Sequence, residues 1–596
     1  MHVIVPLPSS DDSNVLPDIN IMKTSAKIQL TIPPLACLLF ITGFFFPFPN
    51  TALADIEKPR LILQVTVDQL RGDLPTRFLD RMGEGGFRYF LEEGIVYANA
   101  HHAHANTETI VGHATLATGA HPSAHGMIGN IWFDRGTGSL TYNIEDNRYR
   151  LLTAGADVDD DTEIDPTQKA AGTDGRSPAA ILVSTFGDEL SITTAGKAKV
   201  FAVSVKDRGA VSFAGHAGKA FWFSKSAGEF VTSSFYYDNY PEWVTAFNNG
   251  DPTSRYDGAS WELLQDRSNY LYGDRDDQAW ELNLPGFGRT FPHEYGPADG
   301  PGFTTFLTVS PAGDGLTLEF AKALIENEAL GADSVTDYLS VSFSSTDYVG
   351  HLFGPSSLEA EDNLLRLDRT LSALLAYVDK MVGLDQTLVV LSADHGGPEA
   401  PGDLQQYGFE VAYVDPDSWE KEEAFAALKQ RFGIDEELIL QYAHPYLYLD
   451  RELIAEKGLS MGEVEEVVAA ELVKFDGVAI AVSSTAMVRG EVPDTPVLRS
   501  ILNNYNPRRS GDIFVVFQPH WFINDFDGLA VAATHGSPWR YDTFVPVYFA
   551  GSGIKSNKVY REIRTIDVAP TLAAIAGTKP PSGTRGEVLT EVMEDR

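Results

Sequence analysis

Cysteine is almost absent from this chain of 596 residues: Cys37 is the only one. A disulfide within the chain and a thiolate metal cluster are thereby excluded, so a resident metal has to be held by imidazole and carboxylate. Positive charge is scarce as well, with 45 Lys and Arg against 83 Asp and Glu and a formal net charge of −38. That balance excludes nucleic acid as the main partner, because a phosphate backbone needs a basic footprint. It also repels anionic substrates at long range, so a phosphate site here must carry its own local positive charge. Metal ions are the obvious supply.

A long apolar run is missing too. The N-terminal stretch Leu35 to Phe48 is about 14 residues, is broken by Pro47 and is followed by Pro49, against roughly 20 needed to span a bilayer. Lys23 and Lys27 precede it and Ala52-Leu53-Ala54 follow it, the layout of a secretory signal peptide cleaved after Ala54, with Met22 as the start. A membrane anchor fits less well. A lipoprotein signal at Cys37 is weaker again, because Pro34 stands where leucine is usual. Residues 1–54 are therefore expected to be a signal region, giving a periplasmic or secreted monomer with no stable membrane anchor.

Apolar material is plentiful, at 43% of residues with 11% aromatic. Short buried-type runs end in polar residues: Arg60 to Val67 before Asp68, Tyr338 to Phe343 before Ser344, Thr387 to Leu391 before Ser392, and Val545 to Ala550. Such runs suit central parallel strands, with amphipathic stretches such as Leu364 to Val382 as the helices between them. The expected fold class is α/β: a central, mostly parallel sheet sandwiched by helices, with site residues at the C-terminal strand edges. One catalytic domain over 55–596 is expected, with cap-forming insertions around 135–180, 225–310 and 400–530. The acidic run Asp157, Asp159, Asp160, Asp161, Glu163 and Asp165 reads most simply as a solvated loop, with a calcium site as the alternative.

The strand-end residues Asp68, Asp347, His351, Asp394, His395 and His535 together form the oxygen and nitrogen donor set that zinc accepts when sulfur is absent. Singly each is weak, since an Asp after a strand is often a helix cap. Asp394-His395-Gly396-Gly397 is the strongest piece, because one short loop brings two donors to one strand end.

These residues stand in motifs that resemble the alkaline phosphatase superfamily of two-zinc phosphohydrolases, and within it the bacterial threonine-nucleophile alkaline phosphatases of the PafA/PhoK type. The segments carrying the resemblance are Val67 to Arg71, Thr109 to His113, His125 to Asn130, Lys206 to Gly209, Asp347 to His351, Ser392 to Gly396, Thr534 to Gly536 and Asp567 to Leu572. The resemblance implies one zinc held by Asp347, His351 and His535. It implies a second held by Asp68, Asp394 and His395, with Thr109 beside it as both nucleophile and ligand. It also implies Asn130, Lys206 and Arg208 as the phosphoryl-binding set and phosphate monoesters as substrates. Coordination to a dication is what would make a threonine hydroxyl nucleophilic near neutral pH. An additional calcium ion stays open.

His113 and His125 read as packing or hydrogen-bonding residues. The stretch His101-His102-Ala103-His104 departs from the family pattern and reads as a solvated loop, or else as lining of the site entrance. Three competitors are weighed. A phosphodiesterase or nucleotide pyrophosphatase of the same superfamily would lack the Lys206 and Arg208 pair. A sulfatase would need a Cys/Ser-x-Pro-x-Arg context that is absent at Thr109. A non-catalytic binding protein on this fold would not need all six donors and the threonine.

Overall fold

The computed structural model describes residues 58–160, 163–523, 525–526 and 529–594. The signal-region reading of 1–54, with Met22 and Cys37, and Asp161 of the acidic run lie outside them. Among the described residues no helix is long and apolar enough to cross a membrane.

Ten strands form one mixed sheet: β1 (Leu61–Val67), β2 (Ile95–His101), β3 (Val200–Ser204), β4 (Lys219–Ser224), β5 (Glu229–Val231), β6 (Asp337–Phe343), β7 (Thr387–Ser392), β8 (Phe544–Gly551), β9 (Asn557–Val559) and β10 (Ile563–Arg564). The spatial order is β9-β2-β8-β7-β1-β6-β3-β4-β5, with β10 also paired to β2. β1 is central and parallel to both neighbours, in the registers Leu61 opposite Asp337 and Leu61 opposite Thr387. Its side chains alternate between two cores. Leu61, Leu63, Val65 and Val67 pack on one face, and Ile62 packs on the other. A strand covered on both faces has to read as a continuous apolar run, which is why β1, β6 and β7 stand out in the sequence.

The strand read at Val545 to Ala550 departs from the parallel reading. β8 runs antiparallel to both β7 and β2, between which it lies. An apolar run carries no direction, so composition could not reveal this. The helix read over Leu364 to Val382 is longer than its apolar pattern: it starts at Leu358, where the Ser357 hydroxyl accepts from Ala360 N, and ends at Met381. A separate four-stranded sheet, Ile439–Ala443, Tyr446–Leu449, Ile513–Phe517 and Val478–Ser483 in spatial order, lies within the 400–530 segment and has its own core around Phe425, Leu447 and Val515.

Candidate active site

Four neighbouring parallel strands, β7, β1, β6 and β3, end at the same sheet edge, and each hands on site residues. Asp394 and His395 follow β7, Asp68 follows β1, and Lys206 and Arg208 follow β3. After β6 the chain enters helix α2 (Ser345–Phe353), whose first turn carries Asp347, and His351 follows four residues on along the same face. Thr109 opens helix α1 (Thr109–Thr118) beyond β2. Since β8 runs the other way, its contribution, His535, comes from the segment before the strand rather than after it. Gly112 lets α1 lie directly on the β7 loop: a Cβ there would stand 1.8 Å from the Asp394 carbonyl oxygen.

Two donor triads close to within 4.8 Å: Asp347, His351 and His535, and Asp68, Asp347 and His395. Asp347 Oδ1 lies 3.2 Å from His351 Nε2 and 3.4 Å from His535 Nε2, and Asp68 Oδ1 lies 3.3 Å from His395 Nε2. The His395 and His535 rings stack at 3.6 Å. In all three imidazoles Nδ1 donates to a backbone carbonyl at 2.8 Å: His351 to Ala533, His535 to Thr107 and His395 to Gly396. That tautomer turns each Nε2 lone pair toward carboxylate oxygens, and a cation between them is what reconciles such an arrangement. Asp68 Oδ1, Asp394 Oδ2 and His395 Nε2 are buried with no hydrogen-bond partner, the expected state of atoms reserved for a metal. The residues present therefore fit divalent cations with mixed oxygen and nitrogen donors.

The second triad brings Asp347 beside Asp68 and His395, and Asp394 borders it too, with Oδ2 3.4 Å from His395 Nε2 and 3.1 Å from His113 Nδ1. Burial opposes ionisation throughout. The Lys206 ammonium nevertheless holds Asp68 below the ordinary carboxylate range, whereas burial and the Asp68 charge hold Asp394 above it.

The basic pair belongs to this cluster and not to the surface. Lys206 Nζ sits 2.8 Å from Asp68 Oδ2, donates to Asp347 Oδ2, and lies 4.6 Å from the centre of the Tyr348 ring. Arg208 Nη2 reaches Thr109 Oγ1 at 3.4 Å, while Nη1 donates to Asp165 Oδ2 at 2.7 Å. Asn130 Oδ1 accepts from Ile110 N at 3.1 Å, so its amide is fixed against the first turn of α1. His113 bridges inward, from Nδ1 to Thr109 O at 2.8 Å and from Nε2 to Ser342 Oγ at 2.9 Å. His125 is buried against Thr115 Oγ1 at 3.2 Å.

Two sequence expectations are corrected. The acidic run is not one solvated loop: Asp157, Asp159 and Asp160 are exposed, but Glu163 and Asp165 are buried against Lys225 and Arg208. Its residues supply no donor group of the kind formed around Asp347 among the described residues. In the stretch from His101 to His104, His102 and His104 are buried. His102 Nε2 lies 3.1 Å from the Ala393 carbonyl and Nδ1 lies 2.9 Å from Thr565 Oγ1. His102 thus supports the β7 loop, and the His104 ring packs against that of His102 at 4.9 Å.

Three residues at the site had no assigned role in the sequence. Gln69 donates from Nε2 to Asp347 Oδ1 at 2.8 Å and from its backbone N to Asp394 Oδ1 at 3.1 Å, binding the two carboxylates together. Its φ of 63° is the left-handed turn by which the chain leaves β1. Adjacency to Asp68 was the only signal. Glu108 Oε2 accepts from Asn130 N at 2.6 Å and from Asn106 Nδ2 at 3.1 Å, and burial pushes its carboxyl up to about 7. Asp165, the partner of Arg208, is the third.

Buried carboxylate and imidazole triads at the C-terminal edge of a mixed sheet, with a hydroxyl, a guanidinium and an ammonium beside them, define the α/β class to which alkaline phosphatase-type enzymes belong. The chain belongs to the type I phosphodiesterase / nucleotide pyrophosphatase family, whose model matches residues 62–538. It is 34% identical to alkaline phosphatase PafA of Elizabethkingia meningoseptica, over 90% of this chain and 95% of that protein. It is also 34% identical to a protein of Myroides odoratus described as a calcium-transporting ATPase, over 92% and 97% of the two chains. The crystal structure of wild-type PafA superposes with a TM-score of 0.80 at 33% identity, covering 90% of this chain and 99% of that one.

Proposed function

We propose that this chain hydrolyses phosphate monoesters, with Thr109 as nucleophile, Asn130, Lys206 and Arg208 as the phosphoryl-binding set, and two zinc ions as cofactors. One is assigned to Asp347, His351 and His535. The other is assigned to Asp68, Asp394 and His395, with Thr109 beside it. The observation carrying the reading is the shared tautomer of His351, His395 and His535, whose three Nε2 atoms converge on Asp68, Asp347 and Asp394. When bound, the cations would supply Lewis acidity that favours the threonine alkoxide and answers charge on the leaving oxygen.

The chain's own residues do the rest. Arg208, held by Asp165, presents Nη2 at the nucleophilic oxygen, where a transferring phosphoryl group must arrive. Thr109 Oγ1, having given its proton to solvent, forms the new bond to phosphorus as the ester P–O bond breaks, and the departing alkoxide takes a proton from water. Water then attacks the phosphothreonine, and free phosphate leaves with Thr109 restored. The buried ammonium of Lys206 adds a second positive charge beside the carboxylates.

A diesterase is the competing reading, favoured by the family's description. Lys206 and Arg208 decide against it, because a monoester dianion offers three charged non-bridging oxygens and a diester offers fewer. p-Nitrophenyl phosphate should be cleaved at least about a hundredfold faster than its bis ester, on the scale of one or two lost charge-assisted contacts. Comparable rates, or full activity in Thr109→Ala, would overturn the assignment. A periplasmic or secreted location is part of the proposal and rests on residues 1–54 alone.

A further inference from the structure

Glu108 stands at the N-cap of α1, where a side chain ordinarily accepts from a free N–H of the first turn, yet its side chain makes no such bond. Asn130 makes it instead, with Oδ1 accepting from Ile110 N at 3.1 Å. Glu108 in return crosses to the neighbouring loop, where Oε2 accepts from Asn130 N at 2.6 Å. Two residues 22 positions apart thus exchange bonds as a capping box does within one helix. The same Oε2 accepts from Asn106 Nδ2 at 3.1 Å, and that amide also donates to Ile128 O at 2.9 Å. Gly129 leaves room for the crossing, since a Cβ there would lie 3.0 Å from Oε2. The frame is backed by Asn504, the last residue of helix Pro496–Asn504, which accepts at Oδ1 from Asn106 N and donates from Nδ2 to Ile128 O, both at 3.2 Å.

Asn130 is left with little freedom. Its carbonyl accepts from Asn143 N at 3.2 Å and from Asn143 Nδ2 at 2.7 Å, so its N, O and Oδ1 are all engaged. Among the described residues none accepts from its Nδ2, which is the one polar group it keeps for a ligand. The anchor of its side chain, Ile110 N, is one residue from Thr109, whose Oγ1 also meets Arg208 Nη2. Resting on the assignment of Asn130 to the phosphoryl group, we propose that Glu108 is a positioning residue: through the backbone of Asn130 it sets where that amide meets a phosphoryl oxygen at Thr109. It makes no contact with the substrate itself. A donor fixed in advance at the point where charge develops stabilises the transition state, and one that has drifted does so far less. What the tether requires is an acceptor oxygen at the reach of a glutamate side chain.

The test is a double-mutant cycle on the full chain loaded with zinc, with p-nitrophenyl phosphate as substrate. Glu108→Ser keeps a good N-cap residue for α1 but cannot span to Asn130. It should lower kcat/KM about tenfold, on the scale of one hydrogen bond to a charged group, with zinc content and melting temperature at parental values. Asn130→Ala should lower kcat/KM by at least as much. In the Asn130→Ala background Glu108→Ser should cost less than about twofold, because residues that act through one contact are not additive. Glu108→Gln retains an acceptor at the same reach and should stay within about threefold of the parent. Parental kcat/KM in Glu108→Ser, equal losses in both backgrounds, or a Glu108→Gln variant as impaired as Glu108→Ser would each overturn the positioning role while leaving monoesterase activity standing. Asn130→Ala at parental kcat/KM would overturn it together with the assignment of Asn130. Absence of any monoester turnover in the parent would overturn the functional reading itself.

Discussion

Asp165 and Arg208 form a buried pair in which Nη1 donates to Oδ2 at 2.7 Å, and this pairing leaves Nη2 aimed at Thr109. Asp165 is itself fixed, since Oδ1 accepts from Thr167 N at 2.9 Å and from Thr167 Oγ1 at 2.6 Å. Asp165→Asn keeps the shape and removes the charge that aligns the guanidinium. A loss of roughly ten- to a hundredfold in kcat/KM is expected, in line with the cost of misplacing a reacting group. The metal content and melting temperature should stay close to the parent. Steady-state kinetics with zinc analysis checks both, and unchanged kinetics would show that Asp165 is structural only.

Asp347 is shared by the two donor triads, whereas His351 and His395 each serve one. Asp347→Ala removes an assigned ligand of the first ion and, since an Asp347 oxygen also lies among the donors Asp68 and His395, weakens the second position as well, so both are expected to lose metal. His351→Ala and His395→Ala should each leave about one ion per chain, because removing one donor weakens only its own site. Metal-to-protein ratios after dialysis measure this directly. Equal losses in all three variants would mean that the positions do not fill independently.

Gly112 touches no substrate in the proposed mechanism, yet Gly112→Ala should cost more than about a hundredfold in activity, as displacement of a reacting loop by about 1 Å can. A methyl there meets the Asp394 carbonyl at 1.8 Å, so α1 and the β7 loop must separate and carry Thr109 away from Asp394 and His395. A variant with parental kcat would show that the two elements can slide apart harmlessly.

Acid should destabilise the protein through His102 and His104. Burial holds His102 down to about 3, and holds His104 well below the ordinary imidazole value of 6.5. Both are neutral in the fold, while the unfolded chain binds their protons below its own imidazole pKa. Their contribution is complete above about pH 6.5 and is lost as pH falls, at about 1.4 kcal/mol per pH unit for each residue. Urea midpoints should fall between pH 7 and 5, and His104→Gln should show a shallower fall. Identical slopes would remove His104 from the account.

Much of this was legible in the sequence, and the remainder was hidden for identifiable reasons. β1, β6 and β7 declared themselves because strands covered on both faces must be apolar throughout. Asp68, Asp394 and His395 declared themselves because they follow those strands at once. The burial of Glu163 and Asp165 was invisible, because their cationic partners Lys225 and Arg208 lie 62 and 43 positions away and an acidic run looks solvated until they are brought in. Gln69 was invisible for a different reason. Its value lies in a left-handed turn and in contacts with Asp347 and Asp394, none of which leaves a trace in local composition.

The place of β8 has a consequence for how the enzyme comes into being. β2 is among the first strands made, yet its partners in the sheet, β8, β9 and β10, all come from the last part of the chain. Until they arrive, the half of the sheet that presents Thr109 has no neighbour to hold it, and His535 has not yet been synthesised. Long-range pairing of this kind is slow to form. A growing or truncated chain therefore cannot assemble the proposed catalytic centre, and activity begins only when the whole polypeptide has closed.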